Sequence, residues 1–129
     1  MSILWKLKNI KYKLKHKIQR FHKGYADIDV WNFDDWFLTT IPKMLDYLQE
    51  NGIGYPYEMT FEEWHNIINT MSNHFKEAKK YDEKENEIFE MNISQKEKND
   101  LCKKAFEESK QHLHEGLKLL EKHFFSLWD

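Results

Sequence analysis

Between Arg20 and Trp64 the chain gathers cations, acids and flat rings within one short stretch. Arg20 and Lys23 supply cationic donors, Asp27 and Asp29 supply acceptors, and Tyr25, Trp31, Tyr55 and Tyr57 supply aromatic faces. These match the needs of a nucleotide-like ligand, which has phosphates to neutralise, hydroxyls to bind and a base to sandwich. On that reading Arg20 and Lys23 hold phosphates, Asp27 and Asp29 accept from ribose or base, and Tyr25, Trp31 and Tyr55 stack, with Tyr57 beside them. A structural reading competes with it. Asp34 and Asp35 suit a helix N-terminus, Trp36 and Trp64 fall at core spacing, and Tyr55-Pro56-Tyr57 makes a turn.

Catalytic patterns are fragmentary. A di-iron bundle needs two Glu-x-x-His pairs and two further glutamates, whereas only Glu62-x-x-His65 has that orientation and His112-x-x-Glu115 is reversed. Cys102 lies on an apolar stripe next to Leu101, the setting of a small core residue. Neither a Walker loop nor Gly-x-Gly-x-x-Gly occurs. No catalytic residue, metal ligand set or cofactor is therefore expected, although a metal-dependent or carboxylate hydrolase on the same acids stays an alternative.

The elements that must position these residues read as helices. The chain has 129 residues, 33% charged and 40% hydrophobic, with four glycines and two prolines. That composition predicts an all-α fold, a compact bundle of about four helices in a single domain over 1–129. Ile3, Leu7, Ile10, Leu14, Ile18 and Phe21 recur at helical spacing and predict a first helix with a core-facing side, closed by Gly24. Residues Tyr25 to Trp31 read as a loop. A second helix starts near Asn32 and buries Phe33, Trp36, Phe37, Ile41, Met44, Leu45 and Leu48, with a kink expected at Pro42 and a stop at Asn51-Gly52. Thr60 and Glu63 form a capping box for a third helix carrying Phe61, Trp64, Ile68, Met71 and Phe75. The charged run from Lys76 to Glu90 reads as its solvated continuation. Ser94 and Glu97 form a second box, opening a long helix with Leu101, Ala105, Leu113, Leu117, Leu120, Phe124 and Leu127 as its buried face.

Charge is divided sharply along the chain. Residues 1–23 carry eight positive charges and no acid, while residues 24–129 carry twelve positive and twenty-two negative. A basic amphipathic helix thus precedes an acidic body. Its stripe is expected to pack on the bundle, with the lysines solvating the outside. Phosphate contacts to nucleic acid would be sequence-independent, and the acidic body would oppose them. A membrane-surface helix is a third reading. No apolar run reaches the ~20 residues of a membrane span, and one cysteine fits a reducing compartment.

The run Gly24-Tyr25-Ala26-Asp27-Ile28-Asp29-Val30-Trp31-Asn32-Phe33-Asp34, with Pro42, Leu45, Gly54-Tyr55-Pro56, Glu62-Glu63-Trp64 and the closing Phe125-Ser126-Leu127-Trp128-Asp129, resembles a family of small proteins encoded by tailed bacteriophages. Lys23 stands where that family commonly has arginine before Gly-Tyr. The resemblance implies a phage gene product acting in the cytoplasm of an infected bacterial host. Joined to the polar-aromatic segment, it leads to a non-catalytic binding protein, a sponge for a nucleotide-type host immune signal. The alternative is an interaction module that inhibits a host or phage protein through its basic helix and exposed aromatics. A ligand shared between chains would make a homo-oligomer.

Overall fold

The computed structural model describes residues 2–128, so Asp129 of the closing Leu127-Trp128-Asp129 run lies outside the described residues. Among these residues the fold is all-α, 83% helical and without strands. The helices are α1 (Ile3–Lys23), α2 (Asp27–Trp31), α3 (Phe33–Asn51), α4 (Phe61–Lys79), α5 (Tyr81–Phe89) and α6 (Gln95–His123), followed by a 3₁₀ turn, Phe124–Ser126. They fall into two compact units, Met1–Phe37 and Leu38–Asp129, with the division inside α3.

In the first unit, Ser2 caps α1 by accepting from the Trp5 amide. Gly24 ends it with φ +80°, and its N–H reaches the Arg20 carbonyl at 2.9 Å. That left-handed conformation is strained for any residue with a Cβ. The stretch expected as a loop then turns out to contain α2. Its backbone is initiated by the Asp29 carboxylate, which accepts from the Ala26 amide at 2.8 Å. The expected core-facing side of α1 is likewise corrected: no residue of that helix is buried.

In the second unit the part of α3 from Leu38 onward forms a helical bundle with α4, α5 and α6. Pro42 stands inside α3, where its ring removes a backbone donor, and the helix is bent by 29°. Its own carbonyl and the Asp46 carboxylate face α4, with the buried Ser72 hydroxyl 3.3 Å from Pro42 O and 2.6 Å from Asp46 Oδ1. Lys76 adds an ion pair to Asp46 at 2.6 Å. Burial pushes the Asp46 carboxyl up, but the bonds from Lys76 and Ser72 outweigh it and leave its pKa below the ordinary value. Thr60 and Glu63 exchange side-chain bonds with each other's backbone, as the capping box requires. At Ser94 the hydroxyl accepts from the Glu97 amide and donates to the Glu97 carboxylate.

The core lies between α4 and α6. Trp64, Ile68, Met71, Ser72, Phe75 and Ala78 form the buried face of α4. They meet Ala105, Ser109, Gly116 and His123 of α6, which are mostly small. Small residues let the helix axes approach while the large side chains of α4 fill the space. This corrects the expected face of α6 in part: Leu101, Leu117 and Phe124 are exposed, while Ala105 is buried as expected and Leu113, Leu120 and Leu127 are half-buried. Phe33, Met44 and Phe61, also expected inside, are exposed as well. The charged run is not a simple continuation of α4, since the helix is interrupted at Lys80 and α5 buries Ile88.

Candidate functional site

Six of the eight residues singled out for ligand binding belong to the first unit, and the structure ties four of them together in pairs. Arg20 binds Asp29 in a fork, Nε to Oδ2 at 3.0 Å and Nη2 to Oδ1 at 2.8 Å. Lys23 Nζ donates to Asp27 Oδ1 at 2.6 Å and lies 5.0 Å from the centre of the Tyr25 ring. Gln19 completes the arrangement. Its amide nitrogen donates to Asp27 Oδ2 at 2.8 Å, and its oxygen accepts from the Asp27 backbone N–H at 3.0 Å.

The electrostatics follow from these bonds. Arg20 holds the Asp29 carboxyl below its usual range against the opposing effect of burial, with the Ala26 amide assisting. Lys23, then Gln19, holds the Asp27 carboxyl low, and the lysine is raised in return. Asp29 is 8% exposed and accepts three hydrogen bonds. The cations expected to hold phosphate and the acids expected to hold ribose thus neutralise one another.

Gln19, Arg20 and Lys23 are spaced to lie on one face of α1, roughly opposite the stripe of Ile3, Leu7, Ile10, Leu14, Ile18 and Phe21. The turn and α2 therefore fold against the polar face. The stripe is left open. Gln19 stands in no motif, and its place four residues before Lys23 on one helix face is the signal in the sequence that points to it.

The remaining rings have separate surroundings. Trp31, at the end of α2, is 82% exposed. Tyr55 and Tyr57 belong to the loop before α4 in the second unit. Tyr55 meets the Phe61 ring edge-on at 6.2 Å, and Tyr57 is fully exposed.

Two further features stand in the second unit. An open groove of about 740 Å³ runs along α3 and the end of α6, lined chiefly by Ile41, Met44, Leu48, Leu120, Phe124 and Leu127. His74 and His112 place their Nδ1 atoms 3.0 Å apart, so one ring donates to the other between α4 and α6. Among the described residues no three His, Cys, Asp or Glu side chains gather in a way that could hold a metal ion. No helix among them is long and apolar enough to cross a membrane.

Comparison with known proteins gave no match to a family model, a curated protein or a solved structure.

Proposed function

We propose that the chain is a non-catalytic binding protein whose first unit is a docking module. The observation carrying this reading is α1 itself: 21 residues with an apolar stripe, eight positive charges and no acid in the stretch 1–23, and no buried residue. A helix with so much apolar surface in water gains free energy by covering it. The polar face is already occupied by α2 through the Arg20–Asp29 and Lys23–Asp27 pairs, which leaves the stripe as the available contact. The resemblance to tailed-bacteriophage proteins supports a target inside an infected bacterial cell.

Photo-crosslinking in bacterial cells tests this. A crosslinking phenylalanine derivative replacing Leu14 should form adducts, while the same group replacing the exposed Lys110 of α6 should not. An absence of adducts from position 14 would remove the docking role.

Capture of a nucleotide-type immune signal is the second reading. The open rings of Trp31 and Tyr57 favour it, since stacking needs accessible faces. The engagement of Arg20 and Lys23 by Asp29 and Asp27 weighs against it, because a phosphate would have to displace both carboxylates. Calorimetry against cyclic nucleotides and ADP-ribose derivatives separates the two, with measurable heat required of the second.

A further inference from the structure

The stripe of α1 is bordered by cations on both sides. Helical spacing sets Lys6, Lys13 and Lys17 along one edge of the Ile3 to Phe21 row, and Lys8, Lys11 and Lys15 along the other. Every apolar member of that row is at least 49% exposed. We infer that α1 lies lengthwise on an anionic lipid bilayer, its stripe among the upper acyl chains and its lysines on the headgroup phosphates. This inference rests on the docking reading above and names its partner.

Charge complementarity and the placement of the lysines select this occupant. A long lysine stem covers apolar surface while its ammonium reaches outward, so lysines at both edges of a stripe fit a flat boundary between hydrocarbon and phosphate. The helix is about 30 Å long and presents that pattern along its whole length. A second copy of α1 would bring lysine rows against lysine rows beside the seam, where paired helices need opposite charges. Nucleic acid would satisfy the lysines but leave the aliphatic row in water. The acids bonded to the helix, Asp27 and Asp29, are held on its polar face by Gln19, Lys23 and Arg20, so they do not oppose an anionic surface on the stripe side.

The test is sedimentation of the full chain with vesicles of phosphatidylglycerol and phosphatidylethanolamine, against vesicles of phosphatidylcholine. Binding to the anionic vesicles should be stronger and should weaken with salt. The double variant Leu7→Gln, Leu14→Gln should lower that affinity at least about tenfold, since both side chains leave hydrocarbon. Lys11→Gln with Lys15→Gln should lower it roughly tenfold and flatten the salt dependence. An unchanged unfolding midpoint in each variant shows that the fold is intact. Failure to bind anionic vesicles overturns the inference, as does undiminished binding of the leucine variant or tighter retention on duplex DNA. Adducts from position 14 to a protein, without vesicle binding, also overturn it while leaving the docking role in place.

Discussion

Arg20 and Asp29 are joined by two parallel hydrogen bonds that span the Gly24 turn, and the same carboxylate starts α2 by accepting from Ala26. One side chain therefore serves both as ion-pair partner and as backbone cap. Asp29→Asn should loosen α2 by about 1 kcal/mol, a modest figure because the Arg20 side is half exposed. Arg20→Ala should act more strongly by leaving the buried carboxylate with only the Ala26 amide. Faster hydrogen exchange at Ala26 is the readout. Because the carboxyl pKa is lowered on folding, its contribution is complete above the unfolded value near 4 and is lost as pH falls through the folded value. A carboxyl carbon titration of Asp29 showing no lowering would contradict this.

Gly116→Ala should destabilise the second unit although alanine is the better helix former. An added Cβ would stand 2.7 Å from Phe75 Cε1 and 2.9 Å from its Cδ1, and the ring is fully buried. Overpacking of about 1–3 kcal/mol exceeds a propensity gain of about 1 kcal/mol. Urea unfolding should also show that Phe75→Leu costs less in the alanine background than in the natural chain. Additive costs would argue against the contact.

His123 should make stability fall on acidification. The ring is buried with its centre 5.5 Å from that of Trp64, and desolvation, helped by Lys122, lowers its pKa. The unfolded chain then takes up a proton near pH 6.5 before the folded one does, so stability is complete above about 6.5 and declines as pH falls toward the folded value. His123→Phe should flatten that part of a plot of unfolding free energy against pH. Persistence of the full slope would assign it elsewhere.

Two buried serines should respond in opposite ways. Ser72→Ala strips Asp46 of a 2.6 Å bond and should cost about 1–2 kcal/mol. The Ser109 hydroxyl is buried without a partner among the described residues, so Ser109→Ala should be neutral or stabilising by up to about 1 kcal/mol. Thermal unfolding midpoints of the two variants compare them directly.

The helices were legible because their signals are local: Gly24 closes α1, the Thr60 and Glu63 box opens α4, and Asn51-Gly52 ends α3. The face of α6 was not. Hydropathy points to Leu101, Leu117 and Phe124, yet beside the expected Ala105 the core takes Ser109, Gly116 and His123, the first two for their small volume and the last against Trp64. Volume matching across two helices leaves little trace in the pattern of either one. The polar segment shows the same limit. Its residue types suit a ligand, but the pairing of Arg20 with Asp29 and of Lys23 with Asp27 depends on the backbone reversal at Gly24 and on α2, an element too short for periodicity to mark. The absence of buried residues in α1 was equally hidden, since an amphipathic stripe reads alike whether covered or bare.

The seat of Gly116 beneath Phe75 also orders the routes by which this chain could diverge. Any side chain arriving at position 116 meets the ring at once, so Phe75 must shrink first, whereas a change at Phe75 alone leaves a void that later substitutions could refill. Position 116, with no motif around it, is thus a register mark for aligning distant homologues, and its partner at 75 is the position to check for a compensating change.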